Sequence, residues 1–193
     1  MDSGASTRFS RQILMPEVGL GGQELWAGAS FVLAGSGEAY GAARVALERA
    51  GAASMKTWGP GQPEPAGLDR VEAWLVLTDD PGQRRKYSRR ARNARVPAVF
   101  GWTLGDGFAL ARFTHLAGCA CLECFESNNP KAFLKPDPSW EPVVGAQAAA
   151  ELLLGLLHPS PLDDMVWLTS AGNGTSLKHL VVSSSNCAAN REG

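Results

Sequence analysis

The sequence predicts an α/β fold, a mostly parallel sheet flanked by helices, and three observations carry that prediction. A short apolar run, Phe31-Val32-Leu33-Ala34, ends in Gly35, the pattern of a strand buried on both faces. A glycine-rich turn at 35–41, apolar residues at helical spacing from Ala42 to Ala50, and a strand-forming run from Met55 to Trp58 then make a βαβ opening. Ala73-Trp74-Leu75-Val76-Leu77 repeats the buried-strand pattern and is closed by Thr78-Asp79-Asp80-Pro81.

The remaining elements follow in order. Residues 8–28 read as a helical arm: a short amphipathic helix, a Pro-Glu-Val-Gly-Leu-Gly-Gly loop, and the start of a second helix. Gly51 is a natural stop for the helix after the first strand, because a left-handed residue there closes the last turn. Pro and Gly dominate 59–70, which reads as a loop. A basic helix over about 83–94, strands at 97–101 and 108–113, and a loop holding the cysteine cluster come next. The Ala/Leu-rich stretch from Val144 to Leu157 is helical. Runs at 165–169 and 177–183 flank Ala171-Gly172-Asn173-Gly174, a hairpin signal because Asn-Gly tolerates positive φ. Residues 1–193 read as one domain with no internal repeat: arm 8–28, core 30–157, hairpin and tail 158–193.

Bulk properties narrow the class. A chain of 193 residues can bury a sizeable core, and 45% hydrophobic with 19% charged residues excludes wholesale disorder. A net charge of −1 gives no electrostatic case for nucleic acid or an anionic membrane as partner. The basic run Arg84, Arg85, Lys86, Arg89, Arg90, Arg92 and Arg95 reads as a solvated helix face rather than a phosphate patch. No apolar stretch approaches membrane-span length, and Met1 to Thr7 lacks the basic and apolar regions of a secretory signal, so a cytoplasmic protein is expected. In a reducing compartment Cys119, Cys121 and Cys124, with Cys187 near the end, favour a metal over disulfides; free thiols are the alternative. His115, His158 and His179 are scattered and read as surface or satisfied core residues, with His115 a remote candidate for a metal ligand.

Arg8-Phe9-Ser10-Arg11-Gln12 with Pro16-Glu17-Val18-Gly19 and Gly22-Gln23-Glu24 closely resembles the N-terminal segment of the ThiF/MoeB/HesA adenylating enzymes, of the ubiquitin-activating superfamily. The likeness continues in order. Gly35-Ser36-Gly37 resembles the start of the family's glycine loop, Leu77-Thr78-Asp79-Asp80 its next strand end, and Cys121-Leu122-Glu123-Cys124 its first zinc pair. Glu141-Pro142-Val143-Val144-Gly145 leads into the family's following helix, and Cys187 to Asn190 stand where the second zinc pair falls. The resemblance implies a Rossmann-like core, ATP with magnesium at Gly35, Gly37, Gly41 and Asp79, and adenylation of the C-terminus of a ubiquitin-like or sulfur-carrier protein. It also implies a dimer and a structural zinc, for which Cys119, Cys121, Cys124 and Cys187 are the candidate ligands, Cys119 taking the place left by Asn190.

The nucleotide pattern departs from the family. Tyr40 stands at the third glycine position, with Gly41 one residue late, and Glu38 brings a carboxylate toward the place of a triphosphate. A simple strand–helix connection accounts for this turn without a ligand. Trp58-Gly59 replaces the ribose-binding aspartate, and the phosphate-gripping arginine and lysine have no counterpart before Ala73. Asp79 therefore reads either as a magnesium-side residue or as a strand cap. Arg11 matches the arginine that the family inserts into the partner subunit's ATP site; a salt-bridged N-terminal helix is the alternative for Arg8 and Arg11.

The expectation is a degenerate, non-catalytic subunit, a homo- or heterodimer partner of a ThiF/MoeB-like chain, acting in carrier-protein adenylation. Two alternatives stand beside it. One is an active minimal adenylyltransferase with Arg84 or Arg85 as substitute cations, and the other is a self-associating, non-enzymatic Rossmann-like binding module.

Overall fold

The computed structural model describes residues 8–52, 54–115, 120–128, 136–158, 164–170 and 175–181. Seven strands form one sheet: β1 (Ser30–Gly35), β2 (Ser54–Trp58), β3 (Ala73–Leu77), β4 (Ala98–Leu104), β5 (Gly107–Phe113), β6 (Met165–Ser170) and β7 (Thr175–Leu180). Their spatial order is β2-β1-β3-β4-β5-β6-β7. The arm holds helices α1 (Ser10–Ile13) and α2 (Gly19–Gly28); the core adds α3 (Gly37–Ala50), α4 (Pro81–Asn93), α5 (Leu122–Asn128) and α6 (Glu141–Leu157).

Expectation and structure agree on the α/β class and on the helix-flanked sheet. Parallel pairing is confined to β2, β1, β3 and β4. The β4–β5, β5–β6 and β6–β7 ladders are antiparallel; β6–β7 is the expected hairpin, and the other two depart from the expected parallel arrangement. The cause is local. Only Gly105 and Asp106 separate β4 from β5, and a two-residue turn cannot carry a parallel crossover. The C-terminal hairpin then extends the same sheet through β5, with Phe108 opposite Thr169 and Ala111 opposite Val166.

Side chains alternate between two cores, as the period of a strand dictates. Phe31 and Leu33 of β1 pack with Leu75 beneath α2, α3 and α6, alongside Trp26, Leu47, Val144 and Leu152. Val32 and Ala34 face the other way and join Trp74, Val76, Tyr87, Leu122 and Phe125 beneath α4 and α5. The arm is tied down at two points: the Trp26 indole N–H donates to the Leu153 carbonyl at 3.0 Å, and Gln23 Nε2 donates to the Ala50 carbonyl at 2.8 Å.

Three local expectations change. The helix after β1 begins at Gly37 rather than Ala42, so the turn of 35–41 shrinks to the Gly35-Ser36 step. Cys124 lies on α5 rather than in a loop, and Cys121 immediately precedes that helix. Leu122 and Phe125, one helical turn apart, bury the same face of α5, while Glu123 and Glu126 meet the arginines of α4; together they explain a helix here. The basic run is a solvated face only in part: Arg85, Lys86, Arg89 and Arg95 are exposed, whereas Arg84 is buried, and most of its arginines meet carboxylates. Arg84 is buried against Glu126 at 3.2 Å, Arg85 pairs with Glu126 at 2.7 Å, and Arg89 pairs with Glu123 at 2.6 Å. Arg90 pairs with Glu64, and Arg92 reaches Glu123 at 3.4 Å.

Candidate functional site

The strand order reverses direction of growth at β1, with β2 on one side and β3 on the other, and open α/β sheets bind ligands at the strand carboxyl ends beside such a switch. A cleft of about 270 Å³ lies there. Ser36 and Gly37 wall it from the end of β1, Thr78, Asp79 and Asp80 from the end of β3, and Trp102 and Thr103 from β4; Glu141 closes it from α6.

Gly35 and Gly37 are fixed here by geometry. Gly35 has φ +124°, and a side chain on it would collide with the carbonyl of Leu77 on the adjacent strand. Gly37 has φ +89°, and a Cβ on it would stand 2.6 Å from Glu141 Oε2. Gly41, grouped with them on the sequence, sits exposed in the second turn of α3 and does not line the cleft. It follows from the early start of the helix, which turns the late glycine outward.

Glu141 supplies what sequence reasoning missed. Ser36 stands at the N-cap of α3 in an extended conformation and makes no side-chain capping hydrogen bond. Instead Glu141 Oε2 accepts from the backbone N–H of Glu38 at 2.7 Å and of Ala39 at 3.2 Å. A helix start carries unsatisfied N–H groups and the positive end of the dipole, which is where an incoming phosphate is held in nucleotide-binding loops. In this chain a carboxylate from another helix already holds that place. Glu38, expected to fill it, is exposed and contributes only its backbone N–H. Gly145 allows the approach, since a Cβ on it would collide with the Ala39 carbonyl.

Asp79 is engaged as well. Its Oδ1 accepts from the Thr103 N–H at 2.7 Å and its Oδ2 from the Thr103 hydroxyl at 2.9 Å, which ties the end of β3 to β4. Asp80 caps α4 by accepting from Gly82 N–H at 2.7 Å and Gln83 N–H at 3.0 Å. Arg84 donates to the Thr78 carbonyl at 3.1 Å and lies 4.4 Å over the Trp102 ring, only 1% exposed. Burial pulls its guanidinium below the usual range and Glu126 opposes that shift. Arg84 and Arg85 are therefore engaged by Glu126 and do not enter the cleft as substitute cations. Among the described residues that line the cleft none is Lys, Arg or His, while three are Asp or Glu. Such a wall repels a triphosphate.

Arg11 lies far from these residues in the chain, exposed on α1, and has no ion-pair partner among the described residues. Arg8 donates to the Glu48 carbonyl at 3.4 Å and lies 5.0 Å from the centre of the Phe9 ring. Exposed apolar side chains follow along the same arm, Leu14 at 81%, Leu20 at 50% and Leu25 at 44%.

At the other face, the Cys121 and Cys124 sulfurs are buried and 3.6 Å apart. Two thiolates of a tetrahedral zinc with Zn–S of about 2.3 Å stand about 3.8 Å apart, so the pair fits one side of such a site. Cys119 and Cys187 lie outside the described residues. His115 does not join the pair: no three His, Cys, Asp or Glu residues among those described converge as metal ligands. It is buried on a left-handed backbone, φ +55°, with Nδ1 2.7 Å from the Val96 carbonyl. Burial, with Arg92 nearby, lowers its pKa to about 4, so the ring is neutral.

No family model and no curated protein matches the sequence. Solved structures do resemble the fold. E. coli MccB bound to SeMet MccA is 13% identical, with 95% of this chain and 74% of that one covered and a TM-score of 0.69. E. coli MccB with ATP is 12% identical over 88% and 69%, TM-score 0.62. A heterocyclase in complex with substrate and cofactor is 16% identical over 98% of this chain but 28% of its own, TM-score 0.59. No helix among the described residues is long and apolar enough to cross a membrane.

Proposed function

We propose that this chain is a degenerate ThiF/MoeB-like subunit that binds no nucleotide of its own and supports, as a partner, the adenylation of a ubiquitin-like or sulfur-carrier protein or a peptide tail. One observation carries the reading: the Glu141 carboxylate sits on the N-terminus of α3, where a nucleotide phosphate would be held. The acidic cleft wall and the engagement of Asp79 by Thr103 support it, because adenylation requires cationic stabilisation of the phosphates. They also weigh against the minimal-enzyme alternative. The fold neighbours that were captured with ATP, MccA or substrate support a client held on the same scaffold.

Exposed Arg11 and the apolar side chains beyond it support an arm that faces another subunit, where Arg11 would reach that subunit's ATP. Cys121 and Cys124, with Cys119 and Cys187, would hold a structural zinc; Val181, six residues before Cys187, packs on the described pair. Bound there, the metal would staple the hairpin to α5 and supply no chemistry to the cleft.

Calorimetric titration of the purified chain with ATP and magnesium tests the reading. No saturable heat is expected, and micromolar binding by the unaltered chain would overturn it. With an activating subunit encoded beside it, Arg11→Ala should depress pyrophosphate exchange; unchanged exchange removes the trans-arginine role.

A further inference from the structure

We infer that the outer face of α4 is a docking groove for an acidic polypeptide segment. The inference concerns the face of the sheet opposite α3 and α6 and does not rest on the nucleotide reading. A groove of about 530 Å³ runs between α4 and the 59–70 loop, lined by Arg85, Lys86, Arg89 and Arg90, with Glu64 on its wall and Trp58 at its base. Helix α4 carries six cations and no carboxylate of its own. Among the described residues three carboxylates from elsewhere form ion pairs with it, Glu126 with Arg84 and Arg85, Glu123 with Arg89 and Arg92, and Glu64 with Arg90, and Asp80 caps its N-terminus. Six cations against these four carboxylates leave a positive surplus on this helix in a chain whose net charge is −1.

Lys86 is the cation with no carboxylate partner among the described residues; its ammonium lies 4.9 Å over the Trp58 ring, inside the groove. Lys86, Arg89, Arg90 and Asn93 lie at i, i+3, i+4 and i+7, one stripe of the helix. Along it, Arg89 and Arg90 stand about 4.5 and 6 Å from Lys86 in axial rise. An extended peptide presents alternate side chains about every 6.8 Å, so two carboxylates two residues apart can reach Lys86 and Arg90 together. Three observations favour a polypeptide over a nucleic acid. Glu64 on the wall would repel a continuous phosphate chain. Trp58 is 2% exposed beneath Lys86 and offers no ring face for base stacking. The groove also follows a single helix of 13 residues, about 20 Å, short for a backbone-tracking channel.

The test uses the full chain and a fluorescein-labelled peptide of about ten residues alternating Glu and Ser, read by anisotropy at about 50 mM salt. Saturable binding is expected, with none for the same peptide built on Gln, and raising salt to about 300 mM should weaken it strongly. Lys86→Glu should weaken binding about tenfold and Lys86→Gln by less. Lys86 holds no ion pair among the described residues, so both variants are expected to keep the wild-type circular dichroism spectrum. Equal binding of the Glu and Gln peptides, full affinity in folded Lys86→Glu, or tighter binding of a single-stranded RNA of equal length would overturn the inference.

Discussion

Replacing Glu141 by alanine should turn the N-terminus of α3 into an open anion site. The side chain satisfies two backbone N–H groups, at 2.7 and 3.2 Å, at a helix start whose own N-cap residue contributes no hydrogen bond. Loss of a capping acceptor costs about 0.5–2 kcal/mol, and removal of a charge from the dipole's positive end accounts for about 0.3–1 kcal/mol. A net loss of about 1–2 kcal/mol lowers Tm by roughly 2–8 °C in a chain of this size. Inorganic phosphate should then stabilise the variant selectively. At ten times its dissociation constant it returns about 1.4 kcal/mol by mass action, enough to recover most of the deficit. Thermal unfolding with and without phosphate, at matched ionic strength, reads the effect. Glu141→Gln, which keeps an acceptor oxygen, should lose less and gain less. Identical phosphate responses in the wild-type and Glu141→Ala chains would refute the claim that the carboxylate stands in an anion's place.

Three further outcomes follow from the same geometry. Glu126→Ala leaves Arg84 buried without its carboxylate and should cost about 3–5 kcal/mol in denaturant unfolding, far more than removal of the exposed Glu48–Arg44 pair. Because burial lowers the pKa of His115 from 6.5 to about 4, the stability tied to its neutral form is complete above pH 6.5 and is lost as pH falls from there toward 4. That gap corresponds to about 3 kcal/mol at most, and His115→Asn, which tolerates the left-handed backbone, should flatten this limb of the stability curve. Purified chain should carry about one zinc by elemental analysis, and Cys121→Ser should abolish it; equal zinc in both rules out Cys121 as a ligand.

Strand positions were the legible part of the fold. Ala73–Leu77 was visible as an uninterrupted apolar run because it is buried on both faces, and Phe31–Ala34 for the same reason. The helix of 81–93 was visible through its composition, though its partners were not: a run of arginines looks alike whether water or Glu123 and Glu126 face it. Glu141 was illegible as a site residue because it meets Glu38 across 103 residues, and no periodicity reports a contact of that span. Gly35 and Gly37 were found from their spacing, while Gly41 was carried along by a motif whose helix starts earlier than expected. The antiparallel turn at Gly105 and Asp106 was legible in principle, because Gly-Asp between two strand runs is a hairpin signal, and sequence reasoning passed over it.

Gly145 has a mechanical consequence. With no side chain between them, α3 and α6 touch backbone to backbone at Ala39, four residues into α6 from the carboxylate that spans the gap. The short reach of a glutamate suffices only at that separation. A single methyl group at 145 would act as a wedge, prising the two helices apart and drawing the carboxylate off its amides while leaving Glu141 itself unchanged.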